Sequence, residues 1–234
     1  MKISAAIKIQ WSEVIEMKYG ESIFDILYLL FAIIAGLCVL IKAKTKAGKA
    51  MGFASMVLGV GDAFHLIPRV LSYFIDKDLT CPLGCGKMIT SITMTLFYLI
   101  LFCIWIVRYK NKYSVALSIA VTVLTAARIV LCFFPQNGWC EPTTDITWSI
   151  IRNIPFVLLG LIICILYLAK AKEDKYLSPM WAYILLSFAF YVPVVLFVHR
   201  IPMLGMLMIP KTICYVLMIV SFILFVKNGE AKNK

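Results

Sequence analysis

The sequence predicts an all-α fold: a polytopic membrane helical bundle of about seven transmembrane helices, N-terminus outside and C-terminus in the cytoplasm. Three observations carry this expectation. Of 234 residues, 62% are hydrophobic and 15% charged, and mean hydropathy is +0.94, more apolar surface than a soluble domain of this length can cover. Apolar runs long enough to cross about 30 Å of hydrocarbon as helices recur along the chain. Basic residues collect on alternate connections.

The runs fall at 24–41, 51–75, 88–107, 114–134, 148–169, 179–198 and 204–226. Helices are expected because backbone N–H and C=O groups in lipid must be satisfied within the segment, and no run alternates as a barrel strand does. Residues 1–22 form an interfacial or flexible segment, 23–227 the seven-helix domain and 228–234 a cytoplasmic tail. The first segment lacks the apolar core and small-residue cleavage site of a signal peptide. Instead, Ile3, Ile7, Val14 and Met17 fall near one helical face with Trp11 suited to the headgroup boundary.

Orientation follows from charge. Lys42, Lys44, Lys46 and Lys49 follow the first run, Arg108, Lys110 and Lys112 the third, Lys170, Lys172 and Lys175 the fifth, and Lys227, Lys232 and Lys234 the seventh. The opposite connections hold only Lys77, Lys87 and Arg200, with Asp76, Asp78, Glu141 and Asp145. The net charge of +11 is therefore a topology signal of the positive-inside kind, and nucleic acid is excluded as a partner. An integral protein of the plasma membrane is expected. Its oligomeric state has no signature in the sequence.

Of eight cysteines, Cys38, Cys103, Cys164 and Cys214 lie inside apolar runs and behave as small hydrophobes. Cys81, Cys85 and Cys140 lie in outer connections, with Cys132 at an outer run end, so a disulfide on an oxidising face is expected; the pairing is open. Cys81 and Cys85 with a third cysteine also resemble a zinc ligand set, but no histidine is near them in sequence.

Ionisable residues within the runs carry the functional information, because a charge at mid-bilayer costs at least about 3 kcal/mol. Asp62, His65 and Arg69 share one helical face with Pro68, while Gly59 and Gly61 admit a close neighbour. Arg128, Arg152, Asn153, His199, Arg200 and Lys211 come from later runs, all in outer halves. A shared depth predicts one polar cavity opening outward, cationic because Arg69, Arg128, Arg152 and Lys211 outnumber Asp62. Its ligand carries negative charge: an anionic small molecule, or a membrane lipid whose headgroup enters from the outer leaflet. Tyr73, Tyr98, Tyr191 and Tyr215 offer hydroxyls, and Tyr191 is counted among the binding residues. Neutralisation of Asp62 by Arg69 or Arg128 is the purely structural alternative.

The stretch Gly59-Val60-Gly61-Asp62-Ala63-Phe64-His65 resembles the second-span motif of alkaline ceramidases and related seven-span membrane hydrolases, as does Trp11-Ser12-Glu13 ahead of the first span. The resemblance implies Asp62, His65 and Asp76 in catalytic roles and zinc as cofactor, activating water to cleave an amide. The histidine pair of that family's last span is absent, leaving His65 and His199 as candidate metal ligands. Transport is the rival function: Ala63-Phe64 with Pro68 is echoed by Ala189-Phe190 with Pro193, as in two-halved transporters. A membrane sensor or assembly protein is the third reading. No nucleotide loop, serine-hydrolase elbow or haem motif occurs.

Overall fold

The computed structural model describes residues 2–109, 114–143 and 145–230, with side chains from residue 18 onward. Seven helices are present among them: α1 (Lys2–Lys42), α2 (Lys46–Phe74), α3 (Thr80–Tyr109), α4 (Val115–Cys132), α5 (Ile146–Ala169), α6 (Met180–Phe197) and α7 (Met208–Leu224). Each carries, with its flanking turns, a segment long and apolar enough to cross a membrane. The protein is an integral, multi-pass membrane protein. The backbone of α1 continues from the expected interfacial segment into the first span; the face formed by Ile3, Ile7, Trp11, Val14 and Met17 lies outside the described side chains, as do Lys110, Lys112, Lys232 and Lys234.

Each helix packs on the next, and α7 returns to α1, closing a ring. Outward faces are apolar. On α1, Leu27, Leu30, Ile34, Leu37 and Ile41 point away from the bundle at helical spacing, while Tyr28, Ala32, Ala35 and Val39 are buried. This is the pattern of a helix solvated by lipid on one side and by protein on the other.

Small residues set the closest approaches. A side chain at Gly52 would strike the backbone of Leu40 on α1, and one at Gly61 would strike Thr93 on α3. Pro68 removes the donor that would serve the Phe64 carbonyl, and the backbone of Gly86 on α3 lies against that carbonyl. Between them, α3, α5 and α7 build an aromatic layer: Tyr98 meets Phe156 edge-on at 5.3 Å and Phe97 meets Tyr215 at 6.0 Å.

The two ends of the bundle differ. At the basic end, Arg108 pairs with Asp174 at 2.7 Å, and Glu230 accepts from the backbone N–H groups of Lys44 (2.8 Å) and Thr45 (3.1 Å) and from the Thr45 hydroxyl. The opposite end carries a disulfide between Cys81, at the start of α3, and Cys140, in the α4–α5 connection. Cys85 is exposed and free, and Cys132 is buried and free. Just before α3, the Asp78 carboxylate accepts from the Thr80 N–H at 2.9 Å, which anchors the helix start; the Thr80 hydroxyl first, and this N–H second, hold the carboxyl below its ordinary value.

Candidate functional site

At the disulfide end, residues 133–143 of the connection between α4 and α5 form one wall of a polar interior. The side-chain amide of Asn137 donates to the carbonyls of Leu131 and Phe134, both at 2.8 Å, capping the last turn of α4. Gly138, at φ 56°, makes the left-handed turn that favours glycine. The indole N–H of Trp139 then donates to the Cys132 carbonyl at 2.9 Å. Gly84 of α3 packs directly on the Trp139 carbonyl, where any side chain would collide. Gly84→Ala is therefore expected to destabilise the fold by about 1–3 kcal/mol, measured as a lowered melting temperature; an unchanged value would show that this wall yields freely.

Behind this wall the ionisable residues divide between two chambers. The first, of about 60 Å³, lies among α1, α2 and α7 and is lined by Glu21, Asp25, Asp62, His65, Arg69 and Lys211. Asp62, 9% exposed, accepts a hydrogen bond from the Tyr28 hydroxyl at 2.6 Å. Arg69 donates to Glu21 at 2.8 Å and to the Tyr73 hydroxyl at 3.2 Å. Asp25 is 6% exposed, and its Oδ2 has no hydrogen-bond partner.

These contacts correct two expectations. Arg69 and Asp62 share a helical face but not a partner, because α1 supplies a carboxylate, Glu21, to the one and a hydroxyl, Tyr28, to the other. Positive charge does not surround Asp62 in excess either. With Glu21 and Asp25 present, this chamber holds three carboxylates against Arg69 and Lys211. Asp25 lies just inside the first predicted span, so the cost of burying a carboxylate was a signal legible in the sequence.

The second chamber, of about 310 Å³, is cationic. Lys87, Arg128, Arg152 and Lys211 line it, with His65, His199, Asn153 and Tyr191, and among the described residues no carboxylate does. Arg128 is 1% exposed and lies 5.3 Å from the centre of the Phe156 ring. It donates through one terminal nitrogen to the Arg152 carbonyl, next to the Ile151 carbonyl whose helix donor Pro155 removes. Arg152 donates to Asn137 Oδ1 at 2.8 Å and to the Ser149 hydroxyl at 3.3 Å, stacked 4.3 Å from the Trp139 ring. The buried Nε atoms of both arginines have no partner, nor does Nδ1 of His65. Lys211, 8% exposed, lines both chambers, its Nζ 4.4 Å from the Tyr191 ring centre and 5.5 Å from that of Tyr215.

A lateral opening adjoins the cationic chamber. Tyr191 donates to Asn153 Oδ1 at 2.7 Å, and this pair also closes the inner end of a cleft between α5 and α6. The cleft, of about 220 Å³, is otherwise lined by Ile, Leu and Val side chains and faces the lipid. It runs on into a further apolar groove through Val157 and Val192 to Gly160 and Cys164.

Asp76 is brought to neither chamber; it is exposed in the α2–α3 connection. Arg200, in the turn after α6, is exposed and lines neither chamber. Tyr73 belongs to the Arg69–Glu21 contact, and Tyr98 to Ser187 at 3.2 Å. Lys87, Asn137, Ser149 and Trp139 join the site unannounced by the sequence, since they sit near helix ends or in a loop where a polar residue carries no cost. Among the described residues, no three of Asp62, His65, Asp76 and His199 bring ligand atoms together; the trio that does is Cys81, Cys85 and Cys140, two of which form the disulfide. The described atoms of these four residues do not assemble a three-ligand zinc site. Compared with known proteins, the chain matches no family model, and no curated protein matches it in sequence.

Proposed function

We propose that the protein binds an amphiphile with an anionic headgroup, taken laterally from the membrane between α5 and α6, with the headgroup in the cationic chamber and the chain in the apolar cleft. The observation that carries this reading is the pair of arginines whose buried Nε atoms have no partner, in a chamber that no carboxylate lines among the described residues. Burying uncompensated guanidinium groups is costly, and an anion supplies the missing acceptors. A water-soluble anion needs no greasy entrance, whereas a lipid does. The disulfide favours the outer face for this end of the bundle, as does the collection of lysines at the other.

The test is equilibrium binding to the purified protein in a neutral detergent. Dodecyl phosphate is expected to bind at least about tenfold more tightly than inorganic phosphate, which lacks the chain, and than dodecyl phosphocholine, whose quaternary ammonium offsets the phosphate. Equal affinity for inorganic phosphate would favour a free anion as the ligand. No preference over phosphocholine would remove the cationic chamber from the reading.

A second reading, transport of the bound anion, is favoured by Lys211. It lines both the acidic and the cationic chamber, so it can exchange Asp62 for a ligand as its counter-charge. Protein reconstituted in vesicles would then carry out uptake of the anion that Lys211→Gln abolishes; flux unchanged in the variant would sink it.

A further inference from the structure

A further cavity, at the basic end, shares no lining residue with the cationic chamber. It is a groove of about 800 Å³ between α1 and α7, open to the lipid. Its walls are apolar, from Leu27 to Val39 on α1 and at Ile223 and Val226 beyond. Its rim is formed by Lys42, Lys44 and Lys227, and no acidic residue lines it among the described residues.

Among the described residues the charge of the rim is not neutralised within the protein, a state that Lys46, Lys49, Lys172 and Lys175 share, but only at the rim does it border an apolar groove. Arg108 is held by Asp174 and Lys170 by Glu173, whereas Lys42, Lys44 and Lys227 have no ion-pair partner among the described residues. The nearby carboxylate, Glu230, is occupied by the Lys44 and Thr45 backbone and the Thr45 hydroxyl. Three unpaired ammonium groups thus crown an apolar slot. From Leu27 to Lys42 the slot follows roughly 22 Å of helix, more than the roughly 15 Å thickness of one leaflet's hydrocarbon.

We infer that the α1–α7 groove is a binding site for a two-chain anionic phospholipid of the leaflet at the basic end, its acyl chains against α1 and α7 and its phosphate among Lys42, Lys44 and Lys227. Charge complementarity selects the occupant. A zwitterionic lipid fills the slot equally well but leaves the lysines without net counter-charge. An anionic lipid here would bridge the first and last helices of the ring and so brace its closure.

Native mass spectrometry of the detergent-purified protein, titrated with phosphatidylglycerol or phosphatidylcholine of the same chains, tests the proposal. Phosphatidylglycerol is expected to be retained about tenfold better, and the triple variant Lys42→Gln, Lys44→Gln, Lys227→Gln to lose that preference. Cys38→Trp, which fills the slot and keeps all three lysines, is expected to lower retention of both lipids. The thermal melting temperature of each variant in the same detergent serves as the folding control. Equal retention of the two lipids, a preference surviving in the folded triple variant, or full retention in folded Cys38→Trp would each overturn the assignment.

Discussion

Arg128→Gln is expected to weaken dodecyl phosphate binding by about 100-fold, equivalent to about 2.8 kcal/mol, while the melting temperature of the empty protein changes little. The two effects separate because Arg128 plays opposing parts in stability. It contributes a charge-assisted hydrogen bond to the Arg152 carbonyl, of roughly 1.5–3 kcal/mol. It also buries a cation in a chamber that holds three others and no carboxylate, a penalty of several kcal/mol. Glutamine keeps a donor for the carbonyl and removes the charge, so the terms nearly offset when no ligand is present. With an anion bound there is no offset, and the lost attraction is read directly as affinity. Arg128→Lys is expected to recover only part of it, about tenfold below wild type, because a single ammonium cannot serve the carbonyl and an anion with the fork geometry of a guanidinium. Binding titrations and thermal melts in the same detergent check both statements. An unchanged affinity in Arg128→Gln would take this arginine out of the site.

The second large effect lies at the disulfide. Cys81 and Cys140 are 59 residues apart, and cross-linking a loop of that length removes enough freedom from the unfolded chain to contribute about 4 kcal/mol. Cys140→Ser is expected to lose most of it, seen as a shift of the unfolding midpoint to lower denaturant. Dithiothreitol should move the wild type the same way and leave the variant unmoved. Because Cys140 adjoins Trp139, which stacks on Arg152, the variant should also bind dodecyl phosphate more weakly. A midpoint insensitive to reductant would mean that the bridge adds nothing to the folded state.

The membrane spans were legible because transfer into lipid is a large, nearly additive term that any apolar run of sufficient length reveals. Which ionisable residues line the interior was legible for the same reason. Arg128, Arg152, Lys211, His65 and Asp62 stand out where burial is costly, and all five line the two chambers. Partnership was not legible. Helical spacing tells which residues share a face, as Asp62, His65 and Arg69 do, but not which side chain the neighbouring helix offers; that Glu21 rather than Asp62 takes Arg69 depends on how α1 sits against α2. Nor does the sum of charges in the spans reveal how they are partitioned. Lys211 is counted once in the sequence yet faces both chambers. The ceramidase-like motif led to Asp76 through its distance along the chain, but this residue lies two positions beyond the end of α2 and is exposed.

The Glu230 contact ties the fold to the order in which the chain is made. Thr45, in the first turn, finds its acceptor 185 positions later. At roughly 5–20 residues synthesised per second, the earliest turn waits about 10–40 s for its partner. Through that interval the α1 groove that α7 will complete lies open to lipid or to an insertion factor. Damage to the turn that carries Glu230 should therefore be felt at the end of the first helix.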